Sequence, residues 1–76
     1  MPDHDLLKTF GKRIRSLRTA RGLSQEKLAE LTGFHRTYIG MIERGERNLS
    51  LTNVAVFADT FGLSISILLD LERGGT

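Results

Sequence analysis

Cysteine is absent from this 76-residue chain, which removes disulfide frameworks, thiolate nucleophiles and cysteine-based zinc or iron–sulfur sites from consideration. A reducing, cytoplasmic setting fits best. Histidine occurs twice, at His4 and His35 in different segments, and no clustered carboxylates join either at metal-ligand spacing. No metal and no cofactor are therefore expected. Glycine-rich phosphate-binding patterns are missing, and Ser24, Ser50 and Ser64 stand where helix capping accounts for them, so no nucleophile with a neighbouring base can be named. Enzymatic activity is not expected. No apolar run approaches the ~20 residues of a membrane span, which excludes a membrane partner on this reading. With one proline, no low-complexity tract, 39% hydrophobic and 26% charged residues, the chain has the composition of a folded protein rather than a disordered one.

The length allows one domain, expected over residues 1–76 with a core from about 6 to 71 and frayed tails. The formal net charge of +2 conceals a strong asymmetry. Residues 1–7 carry −2; residues 8–47 carry ten Lys or Arg against Glu26, Glu30, Glu43 and Glu46; residues 48–76 carry Arg73 against Asp59, Asp70 and Glu72. Positive charge concentrated in the middle of so small a chain suits a polyanion met by one part of the surface, with another part left for packing or self-association. A merely solvated basic face is the plainer alternative.

Apolar spacing predicts an all-α chain of five helices. Leu7, Phe10, Ile14 and Leu17 keep the three-and-four spacing of one helical face over about residues 6–21, with Gly22 as the stop. Ser24 caps a second helix, 25–32, ended by Gly33; a third runs over 36–44 through Ile39 and Ile42 to Gly45. Ser50 caps a fourth, 51–61, in which Val54, Phe57, Ala58 and Phe61 share a face before Gly62. Ser64 caps a fifth through Leu71.

The second and third helices are separated by only a few residues around Gly33, the arrangement that places a recognition helix in the major groove of DNA. Counting Gln25 as position one, Ala29 falls at five, Gly33 at nine and Ile39 at fifteen. A small residue lets the helices approach, a glycine accepts the positive φ of the turn, and an aliphatic wedge fixes their angle.

The stretch Gly22-Leu-Ser-Gln-Glu-Lys-Leu-Ala-Glu-Leu-Thr-Gly33, with Tyr38-Ile-Gly-Met-Ile-Glu-Arg-Gly45 and Leu63-Ser-Ile, resembles the Xre or phage-repressor family of five-helix DNA-binding domains. The resemblance covers roughly residues 8–71. Within that family, His35-Arg-Thr-Tyr-Ile39 followed by Glu43-Arg-Gly-Glu-Arg-Asn-Leu-Ser-Leu51 is most similar to the controller proteins of restriction–modification systems. The resemblance implies a small homodimeric transcription regulator that binds a palindromic operator in double-stranded DNA, and an internal ion pair between Arg18 and Glu43. RNA polymerase is an implied partner, recruited or blocked according to where the operator lies. An antitoxin-like protein-interaction module, or a phage-type repressor without its oligomerisation domain, are the competing readings.

Helical geometry nominates the readers. Ile39 and Ile42, about 60° apart at 100° per residue, define the buried face of the third helix. Thr37 and Arg44 then point away from it, with Gly40 and Met41 flanking, Arg36 at the helix start and Tyr38 to the side, where it reaches either a phosphate or a base. Arg36 suits bidentate bonding to guanine, and Thr37 or Met41 suits a thymine methyl. Gly40 reads as an exposed helical glycine, a position where the family more often has serine. His35 stands where the family usually has a capping Ser or Thr; it caps, meets a phosphate, or is simply exposed. Gln25 and Ser24, at the positive start of the second helix, are backbone-contact candidates, as are Arg47 and Asn48 in the following loop. In the fifth helix Ile65, Leu68 and Leu69 suit the core, and Ile67 and Leu71 lie on another face. Ile65, Ile67 and Leu71 are the candidate dimer surface, the alternative being that Ile67 and Leu71 fold back on the first helix.

Overall fold

The computed structural model describes residues 4–71; the expected frayed tails lie outside the described residues. The described chain forms α1 (His4–Ala20), α2 (Gln25–Thr32), α3 (Arg36–Glu43), α4 (Leu51–Phe61) and α5 (Ile65–Leu68), without a strand among them. α2 and α4 begin and end where capping signals predict. Ser24 Oγ accepts from the Lys27 N–H and Ser50 Oγ from the Asn53 N–H, and Gly33 and Gly62 close the two helices in the left-handed conformation, at φ 82° and 69°. α1 starts two residues before the expected position and ends one earlier. α5 stops at Leu68, three residues short of Leu71.

One buried cluster holds the elements together. Phe57, Ile14, Leu28, Ile39, Ile42 and Leu68 are its largest fully enclosed side chains, contributed by all five helices. Each such side chain, taken out of water, contributes on the order of 1.5–3 kcal/mol. Phe57 is the hub. Its ring meets Phe10 edge-on at 6.4 Å between centroids and Phe34 at 5.4 Å. α5 deposits only Leu68 in this core; Ile65 and Leu69, also expected there, are exposed.

α1 crosses α3 with backbone almost touching backbone. Gly11 is buried against the end of α3, where a Cβ would collide with the Ile42 carbonyl oxygen and come within 2.7 Å of that of Glu43. This close crossing brings Arg18 of α1 beside Glu43, and so fixes where α3 can lie.

Candidate nucleic-acid interface

The turn between α2 and α3 is short because three local bonds close it. The Gly33 N–H donates to Ala29 O at 2.8 Å, Thr32 Oγ1 donates to Leu28 O at 2.9 Å, and the Phe34 N–H donates back to Thr32 Oγ1 at 3.2 Å. Ala29 is 7% exposed and Ile39 fully buried between the helices, as the spacing predicts. With Ile39 and Ile42 inward, Arg36, Thr37 and Arg44 are exposed and Met41 is half-buried. Among the described residues Arg36 makes no ion pair, so its guanidinium is available to an outside acceptor. It sits in the first turn, the part of a recognition helix that meets base edges.

Three expected readers are engaged differently. Gly40 is buried rather than exposed: the Arg44 side chain folds along the helix, bringing its Nη1 to 3.1 Å from the position a Gly40 Cβ would take. Gly40 therefore offers no surface of its own, and its lack of a side chain makes room for Arg44. Arg44 itself pairs with Glu46 at 3.1 Å, an exposed bridge that holds it weakly. Tyr38 is half-buried, its ring edge-on to Phe34 at 5.0 Å and its hydroxyl accepting from Asn53 Nδ2 at 3.0 Å. Arg47 then lies over the Tyr38 ring at 5.6 Å, so the loop arginine is tethered to the side of the recognition helix. Sequence periodicity carries no trace of this link.

The backbone-contact candidates divide similarly. Ser24 Oγ is occupied by capping and Gln25 Nε2 donates to Glu43 Oε1 at 3.1 Å, which turns the Gln25 side chain toward α3 rather than outward. His35 is exposed and makes no side-chain cap bond, so capping is excluded for it. Asn48 is exposed, and its Oδ1 accepts from the Leu49 N–H at 2.9 Å, the turn-shaping role.

Behind this surface lies the ion pair that the resemblance implies. Arg18 Nε donates to Glu43 Oε2 at 2.6 Å and Nη2 to Oε1 at 3.0 Å, a two-pronged contact, while Nη1 reaches Leu23 O at 2.8 Å. Glu43, at the end of α3, is consequently tied to both α1 and α2. The expected dimer surface is split: Ile65 and Ile67 are exposed, but Leu71 is half-buried in a groove of about 360 Å³ with Leu6, Leu7, Phe10 and Val54. Leu71 thus folds back toward α1 and Ile67 does not. No group of three or more possible metal ligands occurs among the described residues, and none of their helices is long and apolar enough to cross a membrane.

A short helix, a left-handed glycine turn and a second helix with an exposed arginine in its first turn, braced from behind, define a helix-turn-helix module. A family model for the helix-turn-helix matches residues 14–68, and the chain belongs to that family. Its relatives include restriction–modification controller proteins. It is 42% identical to the control protein C.SmaI of Serratia marcescens over 74 residues, covering 91% of this chain and 88% of that one. The crystal structure of the controller protein C.AhdI from Aeromonas hydrophila superposes with a TM-score of 0.77 at 52% identity, covering 84% of this chain and 96% of that one. The controller protein C.Esp1396I, solved as a tetramer in complex with its natural 35 base-pair operator, is 31% identical with a TM-score of 0.77, covering 86% of both chains.

Proposed function

We propose that this chain is a single-domain, non-enzymatic, cytoplasmic regulator that binds a palindromic operator as a homodimer and controls transcription of restriction–modification genes. The observation that carries this reading is the exposed, unpaired Arg36 at the start of α3, a helix braced by Arg18 and Glu43. Controller relatives that cover most of this chain, one of them solved on its operator, support it. Arg36 and Thr37 are the base readers; Met41 and Arg44 lie further along the same helix. His35 and Arg47 serve the phosphates, and Ile65 with Ile67 pairs the two copies. Two-fold pairing would set recognition helices about one turn of DNA, ~34 Å, apart. RNA polymerase would be met by the docked dimer, as recruit or as competitor.

Selection from a random duplex pool at low and near-physiological salt tests the reading. A two-fold symmetric consensus with half-sites about one helical turn apart is the expected product. Enrichment at low salt alone, without a consensus, would reduce the basic face to nonspecific attraction. On the selected operator, Arg36→Ala is expected to cost roughly 1–3 kcal/mol and to relax preference at one position in each half-site, as measured by anisotropy against single-base variants. Equal losses on selected and scrambled duplexes would place Arg36 on the backbone instead.

A further inference from the structure

Two arginines of α1, and Arg21 in the turn just past its end, each reach the C-terminal end of a different helix. Arg18 holds Glu43, the last residue of α3. Arg21 Nη2 donates to the carbonyl of Phe61, the last residue of α4, at 2.9 Å, with its guanidinium 5.0 Å above that ring. Arg13 Nη2 donates to Ile67 O at 2.9 Å and its Nε to Leu68 O at 3.3 Å, the last two residues of α5. Helix C-termini leave carbonyls without intrahelical partners and carry partial negative charge, which Arg21 and Arg13 meet at the ends of α4 and α5, whereas Arg18 bonds the Glu43 carboxylate. α1 is thereby the common frame for the helix that faces DNA and for the short helix bearing the exposed apolar side chains.

We propose that Arg13 is a positioning residue: it fixes the orientation of α5, and with it the Ile67 face, relative to α3, and so sets the distance between the two half-sites a dimer can read. This rests on the homodimer reading above. α5 is four residues long, far below the length at which a helix holds its own geometry; Leu68 is its one buried side chain, and half-buried Leu63 before it and Leu71 after it pack against the same core. Such apolar contacts are non-directional and leave the short helix freedom to rotate on its seat. The two-pronged contact from Arg13 removes that freedom, since two bonds from one planar group resist rotation as well as withdrawal. The leverage is large. Across a body 33 Å long, a tilt of about 6° at one end moves the other by the ~3.4 Å rise of one base pair.

The test uses the full chain and the selected operator with its central spacer altered by one or two base pairs, beside a duplex carrying one half-site. Titrations are made where sedimentation shows each protein dimeric. The wild-type chain is expected to lose about tenfold in affinity for a one-base-pair change of spacing. Arg13→Met, which keeps the aliphatic stem, is expected to bind the original spacing about tenfold more weakly, the order set by losing two hydrogen bonds, and to differ by less than about threefold across spacings. Its affinity for the single half-site stays that of wild type, which a general loss of folding would not allow. Arg13→Lys, charged but without the fork, falls between the two. Wild-type spacer discrimination in Arg13→Met, or an equal loss on the single half-site, overturns the assignment. If Arg13→Met is unfolded by circular dichroism, Arg13→Lys decides, and wild-type discrimination in it overturns the assignment. A wild-type chain indifferent to spacing overturns the homodimer reading itself, and the two failures are thus distinct.

Discussion

Replacing Glu43 by alanine is expected to destabilise the folded chain by about 3–5 kcal/mol, read from the urea midpoint by circular dichroism. The Glu43 side chain is 4% exposed and its oxygens accept from Arg18 Nε, Arg18 Nη2 and Gln25 Nε2. Without it, an Arg18 side chain 12% exposed keeps only the Leu23 carbonyl, and a nearly desolvated cation is left without its counter-charge. Net stabilities of small domains are about 5–10 kcal/mol, so the loss would consume a large share of the total. The converse change, Arg18 and Glu43 both to apolar residues of similar volume, is expected to cost much less, because neither charge is then stranded. An Glu43→Ala midpoint equal to wild type would refute the buried-pair account. Since Glu43 ends α3, DNA affinity should fall with the folded fraction while base preference stays unchanged.

Most of the fold was legible because its signals are local. α2 and α4 each carry a serine at one end and a glycine at the other, and the structure begins and ends them there. α5 has Ser64 at its start but no glycine at its end, and the expected helix ran on to Leu71. Its end is met locally, by the Asp70 N–H donating to the Ile67 carbonyl at 3.2 Å, and also from another element. Arg13, more than fifty residues away in sequence, takes the Ile67 and Leu68 carbonyls, and no reading of periodicity around residue 68 contains that fact. The interface shows the same division. Helical angles placed Arg36, Thr37 and Arg44 outward because they depend only on Ile39 and Ile42 facing in. The surroundings of Gly40, Tyr38 and Gln25 are not contained in those angles, because long side chains decide them: Arg44 folds over the first, Asn53 and Arg47 hold the second, and Glu43 draws in the third. Periodicity gives the direction of a Cα–Cβ bond, whereas flexible side chains choose their partners from the whole fold.

Ile67→Glu is expected to make the chain monomeric and to weaken binding to the full operator by about 100-fold or more, while leaving single half-site binding unchanged. Ile67 is 53% exposed and Ile65 42%, so a carboxylate at 67 displaces no core contact and the monomer should keep its stability. What Arg13 holds at this residue is the backbone carbonyl, which the substitution leaves in place. In a two-fold dimer through this face the same patch meets its own copy, and each introduced charge faces its symmetry mate. Like charges brought together in an apolar setting cost several kcal/mol, more than a small interface supplies in surplus. Operator affinity then falls because the second half-site must be filled by an independent binding event instead of one delivered by the first. Sedimentation velocity and anisotropy on one- and two-half-site duplexes separate these effects. A dimer that survives Ile67→Glu would move the pairing surface away from α5, and the groove beside Leu6 and Leu71 would become the next surface to substitute.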